Sequence, residues 1–431
     1  MSGGDDVPFA PIEAYERTTA RSVEKVEREA VARVARVSID ARTRSELQEH
    51  DGGRHDGDPI ANDWNLGTIL RTDPRWRDRL RFNEFSGEEE IRGDAGWRAL
   101  VDVDDVNICR WIAGVYRLDY KPSSARDQVS SIAHETRVHP VREYLRSLVW
   151  DGVPRLDAWL TVAFSVPADV PVFSAVGRAW LISMVARVMD PGCKVDTVPI
   201  LVGEQGAMKS STLRALMPVG SWFCDSDLEL RSKDKYQQLP GVWLYEIAEF
   251  DRFSSKSDAA EIKAHMSSQS DKFRASFARR AGNVPRQVVF AGSVNAREFL
   301  TDNTGSRRFW TLPIAACNPT AIAEARDQLW AEALHAYHRG ESWWLSKDAA
   351  LLMAAEGEVY RVADAWEAVV VPWLDDRIVP VTIYDILTTP LGLSAQHCDK
   401  PSQMRVAQIL TRMGWHKVKG KASSPAWSKN R

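Results

Sequence analysis

A chain of 431 residues, 44% apolar and 27% charged, has the profile of a folded globular protein, which excludes fibrous and disordered classes. Its 56 basic and 59 acidic side chains leave a net charge of −3, so any case for nucleic-acid binding has to rest on local clusters. The five cysteines are scattered without a C-x-x-C pair, which argues against a disulfide scaffold or a cysteine zinc site and fits a reducing, cytoplasmic setting. No apolar run approaches the ~18–20 residues of a membrane span, and no secretion signal is expected.

Residues 1–60 read as a polar arm with one helical segment over 13–42, followed by the loop-like SELQEHDGGRHDGDP, and suit a separable linker or interaction handle. Residues 61–190 read as a mainly helical domain, with its best helices over 106–116, 140–149 and 178–189. The character changes over 191–315. The short apolar runs VPILV (198–202), VWLYEI (242–247) and QVVFAGSV (287–294) alternate there with helical stretches, which argues for a parallel sheet covered on both faces. Over 316–431 helices return. The last of them, within VTIYDILTTPLG and MRVAQILTRMG, precede a short basic hairpin, the outline of a winged helix.

The sharpest motif is Gly203-Glu204-Gln205-Gly206-Ala207-Met208-Lys209-Ser210-Ser211, between the apolar run 198–202 and a helical stretch. This is the strand-loop-helix setting of a phosphate-binding loop, in which backbone N–H groups surround the phosphates of ATP. Lys209 would reach the β/γ oxygens and the Ser210 hydroxyl would hold Mg²⁺. Met208 stands where the pattern G-x-x-x-x-G-K-[ST] has its second glycine; if the position needs positive φ, the side chain costs about 1–2 kcal/mol. A glycine-containing turn ahead of an ordinary helix is the plainer alternative.

The second apolar run ends in Glu246-Ile247-Ala248-Glu249. Carboxylates at the end of a buried parallel strand beside such a loop suit Mg²⁺ binding, for Glu246, and polarisation of the attacking water, for Glu249. Solvated strand-end carboxylates are the alternative. Asn295, ending the third run, could bond both the γ-phosphate and the water. His335 and His338 lie three apart without a partner in a metal pattern and read as surface histidines.

In order and spacing, GEQGAMKSS, YEIAEFDRF, the run 271–280, GSVNAREFL and DNTGSRRFW resemble the virulence-associated E family, as do HPVREYL and LVWDGVPRL upstream. These are replication ATPases of phages, prophages and satellites, similar to superfamily 3 helicases. The resemblance implies an α/β fold: a P-loop NTPase core of AAA+/superfamily 3 helicase type, a helical N-terminal region and a winged-helix-like C-terminal domain. It makes Asn295 a sensor 1 residue and puts Arg307 or Arg308 in the place of an arginine finger that reaches a neighbouring subunit's ATP in a ring, expected to be hexameric. Lys194 resembles a further basic residue facing that nucleotide, although a solvated lysine fits as well. Phe277, Arg279 and Arg280 fall at a hairpin tip facing a central channel, where single-stranded DNA would run; a charged surface turn is the bland reading.

From Lys400 onward there is no Asp or Glu. Arg405, Arg412, Lys417, Lys419 and Lys421 therefore read as contacts to duplex DNA from a basic winged helix, against the alternatives of a solubilising tail or a packing domain. The sequence points to an ATP- and Mg²⁺-dependent DNA helicase or translocase of a mobile element, with replication partners on the N-terminal arm. An ATPase switch in defence or signalling, and a winged-helix DNA-binding protein that does not hydrolyse ATP, are the rival readings.

Overall fold

A computed structural model describes residues 39–229, 232, 236–252, 256–273, 282–295, 299, 308–375, 377, 379–418 and 426–429. The chain divides into two compact units, Met1–Arg146 and Ser147–Arg431. Most of the expected N-terminal helical segment lies outside the described residues.

In the first unit, α1 (Ala41–Ser45) and α2 (Asp63–Thr72) start on Asp40 and Asn62, whose side chains accept from Thr43 N and Asn65 N. They are followed by β1 (Leu80–Asn83), β2 (Glu88–Gly93), β3 (Gly96–Ala99), α3 (Asp102–Tyr116), α4 (Pro122–Ala133) and β4 (Arg137–Val138). The strands form one sheet in the order β3-β2-β1-β4. The region expected to be mainly helical thus contains a four-stranded sheet. Its strands escaped the hydrophobic pattern because they are short and charged, β2 reading EEEIRG. What holds them is cross-strand pairing: Arg81 lies opposite Glu90, donates to its carboxylate at 2.6 Å and stacks 4.0 Å over the Trp97 ring. Leu80 and Ile91 point the other way, into a core with Leu66, Ile69, Ile108, Ile112 and Val129.

The helix α5 (Pro140–Ser147) lies at the division. The second unit continues with α6 (Trp159–Phe164) and α7 (Pro171–Met189), a helix apolar on every side and buried along nearly its whole length. Among the described residues α7 alone is long and apolar enough to cross a membrane; most of it is buried within the protein. It packs against α10 (Pro319–His338), so the division expected at residue 190 falls inside this unit. A helix with no polar face needs cover from both sheet and helix, which ties it to elements on both sides in sequence.

Five parallel strands form the second unit's main sheet: β5 (Val198–Val202), β6 (Phe223–Cys224), β7 (Leu244–Ile247), β10 (Val289–Val294) and β11 (Phe309–Pro313), in the order β11-β5-β10-β7-β6. Every residue of β5, β7 and β10 is buried, as expected of strands covered on both faces. From β5 the chain passes to one edge of the sheet, and from β10 to the other. The two connections diverge from adjacent strands, which opens a crevice beyond their carboxyl ends. Between β7 and β10 lie α9 (Lys256–Met266) and the antiparallel pair β8 (Ser270–Phe273) and β9 (Gly282–Pro285). At the base of this pair the fully buried Arg286 donates from Nε to Asp271 at 2.9 Å and reaches the His265 carbonyl.

After α8 (Lys209–Ala215), α10 and α11 (Lys347–Glu358), the chain ends in α12 (Glu367–Asp375), β12 (Val381–Thr382), α13 (Ile383–Thr388), α14 (Lys400–Arg412), β13 (Trp415–Val418) and β14 (Ala426–Lys429). The three strands form an antiparallel sheet in the order β12-β14-β13 over a separate core of Val370, Ile386, Leu387, Val406, Ile409, Leu410, Trp415 and Trp427.

Candidate functional site

The loop from Gly203 to Met208 joins β5 to α8, and three of its positions are set by geometry. Gly203 packs so closely on Ile314 that a Cβ would lie 2.4 Å from its Cγ1. Gly206 has φ +80°. Met208 has φ +62° and ψ +30°, the left-handed conformation in which a glycine is free of strain, and its side chain is largely exposed. These turns deliver Lys209, which is 8% exposed, into the crevice between β5 and β10. Its Nζ donates to the carbonyls of Gly203 (2.7 Å) and Glu204 (2.8 Å) and to Asn295 Oδ1 (2.9 Å). Burial pulls the lysine's pKa down, against the opposing pull of Cys317 and Glu246.

A cavity of about 300 Å³ opens here, lined by residues 205–211 with Ala248, Glu249, Ser293 and Asn295. Glu246 does not line it. It is 0% exposed and sits behind two hydroxyls, with Ser210 Oγ donating to its Oε1 at 3.0 Å and Ser293 Oγ at 2.6 Å. The other oxygen, Oε2, is buried without a hydrogen-bond partner among the described residues. Burial raises the Glu246 pKa, and the Ser293 and Ser210 bonds work against that rise. Glu249 is exposed on the wall with φ +51°, a backbone strain of the kind found at functional sites.

The structure therefore brings Gln205, Gly206, Ala207, Met208, Lys209, Ser210, Ser211, Glu249 and Asn295 together around one cavity, with Glu246 directly behind. Ser293 was not singled out by the sequence reading. Its signal is a lone hydroxyl inside the apolar run VVFAGSV, because a buried polar group has to find a partner.

Lys194 and Arg308 lie elsewhere. Arg308 directly precedes β11, whose Phe309 pairs with Val198 at the start of β5, so it stands at the amino end of the sheet, away from the cavity. Lys194 Nζ and Arg308 Nε lie 3.5 Å and 3.6 Å from one Asp196 oxygen. Neither is placed to act on a ligand in this cavity.

Two of the expected duplex contacts have partners within the protein. Arg405 makes three hydrogen bonds to Asp364, the shortest 2.7 Å, and stacks over Trp366, while Arg412 pairs with Glu367. The two guanidiniums fasten α14 to the start of α12 and to the segment that leads into it. Lys417 is exposed, with Nζ 5.6 Å from the Trp427 ring centre. Phe277, Arg279, Arg280, Arg307, Lys419 and Lys421 lie outside the described residues. Among the described residues no cluster of three or more His, Cys, Asp or Glu side chains could hold a metal ion.

Residues 145–362 match the virulence-associated protein E-like domain, and the chain belongs to that family. No curated protein matches the sequence. Similar solved structures include the A-form apo structure of the NrS-1 C-terminal region (305–718), 11% identical, with a TM-score of 0.44, covering 84% of this chain and 98% of that one. A second apo structure of the same region, also 11% identical, has a TM-score of 0.42 and covers 81% and 95%.

Proposed function

We propose that this protein is an ATP- and Mg²⁺-dependent P-loop motor, a helicase or translocase that acts on DNA during replication of a phage, prophage or satellite. The observation that carries the reading is the convergence of Lys209, Ser210, Asn295 and Glu246 where the β5 and β10 connections diverge. Lys209, held by two loop carbonyls, supplies the positive charge for β/γ-phosphate oxygens, and loop N–H groups surround them. Glu249 on the cavity wall orients and polarises the attacking water, helped by Asn295.

The residues also suit a divalent cation. The Ser210 hydroxyl donates its hydrogen bond to Glu246 and keeps its lone pairs for a metal, and the buried Oε2 of Glu246, unpartnered among the described residues, is a second oxygen donor. When bound, Mg²⁺ would neutralise charge developing on the phosphates.

Arg308 or Arg307 then acts on the ATP of a neighbouring subunit in a ring, taken to be hexameric, with Lys194 beside it. Support comes from the position of Arg308 at the sheet end opposite its own cavity. In this reading Phe277, Arg279 and Arg280 contact single-stranded DNA, Lys417, Lys419 and Lys421 touch duplex, the N-terminal arm holds replication partners, and the protein works in the cytoplasm.

The test combines Lys209→Ala with Arg308→Ala. Lys209→Ala abolishes hydrolysis with circular dichroism unchanged, and mixing the two inactive variants restores part of the activity, since a mixed interface pairs an intact loop with an intact arginine. Turnover like wild type in Lys209→Ala removes the nucleotide assignment. Absence of rescue at every mixing ratio removes the action in trans.

A further inference from the structure

Ala291 in β10 lies opposite Glu246 in β7, so Ser293, two residues on, shares that carboxylate's face of the sheet and comes to the cavity wall. Ser293 is 6% exposed and donates to Glu246 Oε1, the same oxygen to which Ser210 donates. A hydroxyl has one proton and two lone pairs, and a carboxylate only accepts. With both protons committed to Oε1, both hydroxyls turn only lone pairs toward the cavity. This wall therefore accepts hydrogen bonds, whereas the side formed by Lys209 and the loop N–H groups donates them. A phosphate matches the donor side. The acceptor side matches the hydrogens of water around a hard cation that keeps part of its hydration shell.

We propose that Ser293 is a second hydroxyl of the divalent-cation site: it accepts a hydrogen bond from cation-bound water while holding the Glu246 carboxylate in place. The inference rests on the nucleotide reading above, and its test is arranged so that the two fail separately. A purely structural serine would affect stability and leave cation affinity alone.

Mn²⁺ binding is measured by electron paramagnetic resonance on the full chain, with a non-hydrolysable ATP analogue bound, for wild type, Ser293→Ala, Ser293→Thr and Lys209→Ala. Ser293→Ala is expected to weaken Mn²⁺ about 10-fold, the lower end of what outer-sphere partners contribute. Analogue affinity in EDTA stays at the wild-type value, and Ser293→Thr restores Mn²⁺ affinity. If Ser293→Ala does not fold, Ser293→Cys carries the same expectation, because a thiol is a poor acceptor from water. Unchanged Mn²⁺ affinity in the folded variant overturns the proposal while leaving the nucleotide reading intact. Loss of analogue binding in EDTA also overturns it, since Ser293 would then serve phosphate. A wild-type protein that binds no analogue overturns both.

Discussion

Gly203 and Gly206 open and turn the same loop for different physical reasons, and alanine at each position separates them. A Cβ on Gly203 would lie 2.4 Å from Ile314 Cγ1 and 3.0 Å from both its Cδ1 and its carbonyl oxygen. Ordinary carbon–carbon contacts fall at about 3.5–4.0 Å. Relief requires Ile314 to move, yet its amide is bonded to Val202 O at 2.9 Å, directly after the β5–β11 ladder. Overpacking at such a place costs about 1–3 kcal/mol. Gly206 faces open space, but its φ of +80° is one an L-residue resists, at about 1–2 kcal/mol. Ile314→Ala removes the two offending side-chain carbons and leaves the carbonyl, so it should recover most of the cost at Gly203 and none at Gly206. Urea denaturation of the four corners of each cycle measures this. The expected coupling is about 1–2 kcal/mol for Gly203→Ala with Ile314→Ala, and near zero for Gly206→Ala with Ile314→Ala. A first coupling below about 0.5 kcal/mol would refute the steric argument.

Asp271→Ala strips the buried Arg286 of its counter-charge and should cost about 3–5 kcal/mol, with Arg286→Met in the same background returning most of it. A denaturation midpoint equal to wild type for Asp271→Ala contradicts that. At Asp364, burial alone would raise the pKa, but hydrogen bonds from Arg405 and the Trp366 amide, with the nearby positive charges, hold it below the ordinary carboxylate value. The folded pKa is thus the lower one, so the stabilisation is present above about pH 4 and disappears as pH falls through the folded value. Acid titration followed by tryptophan fluorescence should show a shallower loss for Asp364→Asn; coincident curves would show that the pair contributes nothing.

The legible parts of the sequence were those in which local pattern and tertiary demand agree. VPILV became β5 with its expected bounds, because a strand buried on both faces has to be apolar throughout. The doubt raised by Met208 also had a physical answer, since the position does adopt the left-handed conformation. β2 was not legible: EEEIRG becomes a strand only through pairing with its neighbours β1 and β3 and through side-chain pairs such as Arg81 with Glu90. The basic C-terminal run hid part of its own environment. The carboxylates that claim Arg405 and Arg412 lie some forty residues upstream, and counting charge after Lys400 could not reveal them. Ser293 was hidden by its own strand, where one hydroxyl among apolar neighbours looks incidental until Glu246 is brought within hydrogen-bond reach.

The strand order of the main sheet also sets the timing of its formation. β5 lies between β10 and β11, with Ile200 paired to Gly292 and Val198 to Phe309. On a ribosome adding about 5–20 residues per second, both partners of this apolar strand arrive several seconds or more after it has been made. During that interval β5 has two unsatisfied edges and no sheet to join. The C-terminal module, whose helices and strands pair within about sixty residues of one another, closes over far shorter loops and belongs to the fast-folding end of topologies. Refolding of the second unit should therefore be limited by the insertion of its first strand, an interior one, which makes β5 the point at which aggregation or chaperone capture competes with folding.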